Sequence, residues 1–413
     1  MSGERGTGAG VVRVAAIAVA MFASAAFAQA EAPTGFKVGD GRFHLGASVS
    51  GGYDSAIGYF PVAGGGTQLG GDIVIQPAIL AGFDLDTNNT SVHFTGQGSY
   101  VAYLGALTST STDASHIDAN VGIQTAFNKA GPVEFQIGDN LVRSDRTQNA
   151  AVGIGVLSLY NNARLAIPIH PGGGALEITP NVNWSVEFFD PLLGGSVPGC
   201  NGNATCEPGL LATMDYSNIT AGLAGRWRFL PKTALVLDLG FSYQSYFNPG
   251  AAAVPASLLK GQVGLAGLIS SKISVLALVG WGYDFAGSGA NTLIAQAEVS
   301  LLLVELFNLK FGYVRTLNPV PVNGTFQDDR GYAEIRGSVS RFFYSVTAAF
   351  DYLTYFGTAR RNDTLFTVGA GPGVKILPWL SVAASYNLYL RNSSLGFADY
   401  TRHVAMLTVQ AYY

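Results

Sequence analysis

Residues 176–188 read LEITPNVNWSVEF, and they sort into two rows. Leu176, Ile178, Pro180, Val182, Trp184, Val186 and Phe188 fall on one side; Glu177, Thr179, Asn181, Asn183, Ser185 and Glu187 fall on the other. That is the period of two of a β-strand with one apolar and one polar face. Thr233–Tyr243 sorts the same way, with Leu235, Leu237, Leu239, Phe241 and Tyr243 opposing Ala234, Val236, Asp238, Gly240 and Ser242. So do Ile117–Phe127 and residues 380–390. These runs are about ten to fourteen residues long, against five or six for an ordinary globular strand. A tilted strand needs about 9–11 residues to cross the hydrocarbon of a bilayer.

Outward from this stretch the rhythm covers the chain from Arg42 to the end. Eighteen segments can be counted, centred near residues 47, 79, 97, 122, 137, 164, 182, 222, 239, 263, 279, 298, 311, 336, 349, 370, 386 and 407. If one weak pair is misread, the count is sixteen. Short connections such as Thr87–Thr90, Asn128–Pro132, Pro171–Gly174, Pro231–Lys232 and Pro378–Trp379 alternate with longer ones, among them 54–71, 105–115, 144–157, 189–214, 246–256 and 317–329. Short turns on one side and long loops on the other are the asymmetry of a transmembrane β-barrel. An even count returns both ends to the short-turn side. Sixteen or eighteen strands leave a water-filled lumen, unlike an eight-stranded barrel packed by its own side chains.

Composition agrees. The 413 residues are 48% hydrophobic and 12% charged, with 53 Gly and a net charge of −4; soluble domains carry about 25% charge. The chain is too apolar for disorder, too acidic for a nucleic-acid binder, and with two Cys too poor for a disulfide scaffold. No run of about 20 apolar residues follows residue 30, so no helix is expected to span a membrane. Lipid forbids unpaired backbone, which leaves a closed barrel. A β-helix would show a repeat of about twenty residues with short strands, and a sandwich has no need of eighteen strands with one uniformly apolar face.

The ends carry their own signals. Residues 1–30 have a basic start (Arg5, Arg13), an apolar core from Val14 to Ala23 and Ala-x-Ala sites at 26–30, the parts of a cleaved signal peptide. The alternative, a membrane anchor, fails on length, because about ten residues cannot span roughly 30 Å. Losing Glu4, Arg5 and Arg13 takes the 23 basic and 27 acidic residues to 21 and 26, net −5. Residues 31–41 are then a short periplasmic segment and 42–413 the barrel. In Val404–Tyr413 one face reads Ala405, Leu407, Val409, Ala411 and the terminal Tyr413. Here the sequence resembles bacterial outer-membrane β-barrel proteins, porin-like in architecture over 42–413, with Tyr where Phe is commoner at the end. The resemblance implies an outer-membrane location in a Gram-negative cell. It also implies contact with outer-membrane lipid, and barrel assembly machinery that reads Leu407, Val409 and Tyr413. Homo-oligomers, trimers above all, follow from analogy alone.

The two faces divide the side chains. Aromatics such as Tyr53, Tyr100, Phe188, Tyr243 and Tyr386 near the long loops, and Phe127, Phe135, Trp227 and Tyr413 near the short turns, read as interface girdles. A carbohydrate slide is the alternative, but the inward aromatics (Tyr103, Tyr160, Tyr332, Tyr389) are scattered. Charges on the polar face, including Asp84, Glu187, Asp238, Glu298, Asp351, Arg164, Lys260, Lys310 and Arg391, belong to the lumen, many of them pairing along the wall. Eleven acids against nine bases predict no strong ion selectivity.

Two loops stand out. The third long connection opens with Arg143, Asp145 and Arg146 and continues into an apolar run, 150–157. In porins, which this chain resembles, the third loop folds inward, which implies a constriction near those three residues; alternatively, 150–157 extends the next strand. Cys200 and Cys206 in the longest loop read as a local disulfide in an exported protein, rather than a metal pair with no His nearby.

Catalytic chemistry is sparse. The five His are scattered without metal spacing, no Gly-x-Ser-x-Gly elbow occurs, and no cofactor is expected. A barrel-embedded hydrolase would have to use His403, near the rim of the last strand. The sequence is read as a non-enzymatic outer-membrane channel for passive diffusion of small polar solutes, binding no nucleic acid. A structural or surface-interaction barrel with little conductance is the alternative. For the loop cysteines the expected outcome is an unchanged mass after alkylation without reductant; two alkylated thiols would refute the disulfide.

Overall fold

The computed structural model describes residues 35–60, 67–146, 154–192, 211–249, 255–286, 288–304, 307–320, 324–356, 360–394 and 399–413. The proposed signal peptide and both cysteines lie outside the described residues. Eighteen long strands make the wall. They are β1 (Gly41–Asp54), β2 (Asp72–Asp86), β3 (Thr90–Tyr103), β4 (His116–Phe127), β5 (Phe135–Arg146) and β6 (Ile154–Ala166). Next come β7 (Leu176–Pro191), β8 (Tyr216–Leu230), β9 (Thr233–Tyr246), β10 (Ala256–Ser270), β11 (Ile273–Asp284) and β12 (Asn291–Val304). The last six are β13 (Phe307–Pro319), β14 (Thr325–Val339), β15 (Phe342–Phe356), β16 (Asn362–Leu377), β17 (Leu380–Ser393) and β18 (Tyr400–Tyr412). Every centre expected from the sequence falls inside one of them.

Each strand pairs antiparallel with its neighbours in chain order, and β1 closes on β18 from Gly46↔Tyr412 to Asp54↔Val404. The barrel therefore has no free edge. A short strand, Phe36–Val38, pairs with the start of β1, and a two-stranded hairpin, Ile57–Phe60 with Thr67–Leu69, forms a small sheet of its own. The turns between β8 and β9, β10 and β11, and β16 and β17 are two residues long (231–232, 271–272, 378–379). The long loops are all at the opposite end.

The alternation reappears as two surfaces. Leu235, Leu237, Leu239, Phe241 and Tyr243 of β9 are exposed on the outside, beside Leu259, Val263 and Leu265 of β10 and Val279, Trp281 and Tyr283 of β11. Side chains of this kind in contact with water would aggregate; a continuous apolar outer wall with all its backbone bonds made internally is the surface that lipid requires. The outer girdle residues Tyr53, Tyr100, Tyr243, Tyr352 and Tyr386 are exposed on this surface, as are Phe127, Phe135, Trp227 and Tyr413 at the other rim. Their rings place an apolar body in the hydrocarbon and a polar edge at the headgroups.

Gly264 on β10 and Gly280 on β11 face the lumen where neighbouring backbone comes very close. A Cβ at Gly264 would lie 1.9 Å from the Ala277 carbonyl oxygen, and one at Gly280 1.8 Å from that of Gly261. Beside them Val236, Ala266 and Leu278 pack into a small apolar cluster on the inner face. Only residues without a side chain let neighbouring strands close in this way.

The two faces predict opposite tolerance to charge at adjacent positions. Val263→Arg, on the lipid side, should lower stability in phospholipid vesicles by about 2–4 kcal/mol. Gln262→Arg, on the lumen side, should stay within about 0.5 kcal/mol. Denaturant titration read by the heat-modifiable gel shift measures both.

Candidate functional site

The lumen is lined by the polar rows. Ser50 and Thr408 share a hydrogen bond across the β1–β18 seam (2.8 Å), and Gln76 Nε2 donates to Ser99 (2.9 Å). Charges along this face are mostly neutralised where they stand. Lys310 Nζ lies 3.0 Å from Glu298, which also accepts the Tyr332 hydroxyl at 2.6 Å. Arg330 pairs with Asp351 (3.3 Å), Arg336 with Glu334, and Arg391 with Asp363 (2.5 Å). Asp84 lies between His93 (2.8 Å) and His44 (3.5 Å). Pairing of this kind lowers the cost of placing charge beside a low-dielectric wall. It also leaves less net field for selecting ions.

The long-loop half of the lumen is different, because chain folds into it. The chain enters it at the start of the Ile57–Phe60 strand: Ala56 and Ile57 are fully buried, and Ile57 packs with Val74, Val101, Tyr103, Ala114, Leu157 and Leu192. Full burial of one Ile side chain is worth about 1.5–3 kcal/mol. Residues 104–115, with a 3-10 turn at Ser109–Ala114, lie against the same cluster. Asp72 at the head of β2 holds them, accepting the N–H groups of Gly105 (2.5 Å) and Leu107 (2.9 Å) and the Ser111 hydroxyl. A carboxylate is suited to gathering several backbone donors in a loop without regular structure.

One cation ties this insertion to the wall. Arg402 on β18 donates from Nε (3.0 Å) and Nη2 (2.5 Å) to the Asp54 carboxylate, and Nη2 also reaches Asp145 on β5 at 2.8 Å. The Tyr103 hydroxyl donates to Asp54 Oδ2 (3.3 Å), the oxygen that also accepts Arg402 Nη2. Arg402, Asp54 and Asp145 are all buried. The bridge connects the seam strands to a strand five places round the barrel. None of the three was singled out as one unit by the sequence: Asp54 ends β1 in register with Ser48 and Ser50, and that parity is its only sequence signal.

Two strand ends part from one neighbour, keep the other, and turn inward. The β4–β5 ladder stops at Ala119↔Arg143, so 116–118 and 144–146 do not pair with each other. The Arg143 guanidinium stays on the outside and donates to the Ile117 carbonyl, while Asp145 reaches Arg402 in the interior. A cavity of about 590 Å3 lies at the separation, lined by Tyr100, Ile117 and Arg143 outside and His116, Leu157 and Leu192 inside. Ile154–Leu157 belong to β6, whereas 147–153 and the Arg146 side chain lie outside the described residues. The same separation occurs between β12 and β13, where pairing stops at Ala295↔Arg315. There Leu317 is fully buried against Leu258 and Ala290, inside the wall. The Val320 carbonyl beyond it accepts from Tyr246 Oη (2.8 Å) and Gln244 Nε2 (3.2 Å) on β9.

His403 lies elsewhere, on the outer surface, with Nδ1 2.8 Å from the Tyr386 hydroxyl. Its backbone N–H donates to Ser55 Oγ (2.8 Å). Among the described residues no group of three or more His, Cys, Asp or Glu could hold a metal ion. Just beyond the wall, Asp215 accepts the Phe189 N–H (2.9 Å), and burial holds its carboxyl above the ordinary value.

Removing the bridging cation should release the insertion. Arg402→Met leaves two buried carboxylates facing each other, a change that costs about 3–5 kcal/mol. Chymotrypsin added from the loop side is expected to cut after Tyr59 or Phe60 in the variant and to spare both sites in the wild type, read by mass spectrometry.

No family model matches the chain, and no curated protein matches it. It is similar in structure to the Pseudomonas aeruginosa protein OpdK solved with vanillate, at 9% identity and a TM-score of 0.46, over 90% of this chain and 99% of that one. It is similar to OccAB3 of Acinetobacter baumannii at 11% identity and a TM-score of 0.43, over 90% and 99%. The siderophore receptor PirA of Acinetobacter baumannii matches at 9% identity and a TM-score of 0.43, over 89% of this chain and 80% of the receptor.

Proposed function

We propose that the protein is a channel of the bacterial outer membrane through which small polar solutes pass passively. The observation that carries this reading is the closed eighteen-strand wall, wider than its own side chains can fill, with an inner face that is mainly polar and interrupted by the apolar Val236, Ala266 and Leu278. Short turns at one end, long loops at the other and a terminal strand ending in Leu407, Val409 and Tyr413 support insertion by the barrel assembly machinery and a cleaved signal at 1–30. The pairing of lumen charges favours weak ion selectivity.

The narrow region belongs to the loop end. Ile57, Asp145 and the inward end of β13 set its size, and we assign the chain between Arg146 and Ile154 to it as well, without Arg143, whose guanidinium is on the outer surface. A second reading draws on the same place: the apolar clusters around Ile57, Leu317 and Leu353 favour a barrel closed at rest, with its loops turned to a surface role. No step in either reading is catalytic.

Purified protein in a planar bilayer separates them. Stable conductance steps support the channel; their absence in folded, heat-modifiable protein overturns it and favours the closed barrel. Replacing 57–69 by a two-glycine link is expected to raise the step size several-fold. Deleting 147–153 should raise it as well, and an unchanged step would remove that loop from the constriction.

A further inference from the structure

One carboxylate is on the wrong side of the wall. On β5 the outward row reads Phe135, Ile137, Asp139, Leu141 and Arg143, so Asp139 stands among apolar neighbours on the lipid face, and it is exposed. It pairs across the ladder near Ile123, four residues from the Phe127–Phe135 girdle and six from Ile117, which sits opposite Tyr100. At about 3.3 Å per residue and a tilt of about 40°, it lies about 10 Å inside one interface and about 15 Å inside the other. Among the described residues its one hydrogen-bond partner is Asn161 on β6, whose Nδ2 donates to Oδ1 at 3.0 Å. Oδ2 and the second N–H of Asn161 have no partner among the described residues. A carboxylate and an amide facing hydrocarbon are unfavourable unless another polar surface covers them.

We infer that a second copy of this chain covers them, in a two-fold dimer centred on β5 with its axis along the membrane normal. Rotation about that axis keeps every residue at its own depth, so Asp139 and Asn161 of one protomer meet the same pair on its partner. The pair is complementary to itself at that depth: each spare amide N–H can donate to the other protomer's spare carboxylate oxygen. A two-fold interface needs such self-complementarity.

The wall on either side of β5 has the matching shape. Towards β1 the outer surface is cut back into a groove of about 910 Å3, lined by Ala47, Ala81, Gly98, Ala119 and Ala411 between larger residues such as Ile79. It adjoins the polar pair through Ala119 and Val121, whose ladder partners are Arg143 and Leu141. Towards β7 the surface stands out instead, with Leu165, Val182 and Trp184 exposed. A two-fold axis at β5 sets the β1–β4 side of one protomer against the β6–β7 side of the other, so each ridge meets the other's groove. Shape and polarity thus point to one arrangement.

Cross-linking in the outer membrane tests it. In a Cys200→Ser, Cys206→Ser background, Leu141→Cys is expected to give, on oxidation, a covalent product of twice the chain mass; Ile335→Cys, nine strands away on β14, should give none. Asp139→Leu with Asn161→Leu, shown to be folded by heat-modifiable mobility, should shift the protein purified in nanodiscs from dimer to monomer by light scattering. A wild-type monomer, a covalent product of any other mass, cross-linking at 335 in place of 141, or a dimer that survives the double substitution would each overturn the assignment.

Discussion

Everything in this molecule depends on leaving no backbone group unpaired in lipid. Each orphan N–H or C=O there costs several kcal/mol, so the sheet must end where it began. The seam meets this demand from Gly46↔Tyr412 to Asp54↔Val404, and mutual hydrogen bonds between Leu45 and Tyr413 (3.0 and 2.8 Å) extend it to the last residue. Closure also explains why the strands are so long and so regular. A break in the ladder is tolerated at the loop ends of β4–β5 and β12–β13, where the departing strand turns inward and its side chains are covered by the interior.

Closure sets the chemistry of each face. Eighteen strands enclose more space than their own side chains fill, so the inner row can be polar and wet while the outer row cannot. The charges that result are then held by partners: Lys310 by Glu298, Arg330 by Asp351, Arg391 by Asp363. The same wide interior gives the loops somewhere to fold. Arg402 makes that inward folding specific, because a guanidinium can serve two carboxylates from separate strands at once. The narrow part of the lumen is therefore built by tertiary contacts at one end, while the wall is built by local ones throughout.

Much of this was legible in advance. Strand positions, the identity of the outward row in β9 and β18, the aromatic girdles and the distribution of short and long connections all follow from a period of two and from turn residues. The position of Asp139 was legible too, since it shares parity with Ile137 and Leu141, although an inventory of lumen charges passes over it. Inward folding was not legible. Asp145 and Leu157 have the parity of outward residues; they face the interior where β5 separates from β4 and where the β5–β6 register shifts between Ser144 and Arg146. The meeting of residues 54, 145 and 402 depends on closure and on a loop crossing, and no local pattern encodes either.

The sequence by itself determined the class of the protein, because lipid acts on every residue separately: alternate positions must be apolar, and the mean composition must show it. The tertiary structure alone decided which strands part at the rim, which segments enter the lumen and which carboxylates share Arg402. Those outcomes come from the curvature of the closed sheet, which brings together chain positions hundreds of residues apart. Period two fixes a face, but only closure decides what that face meets.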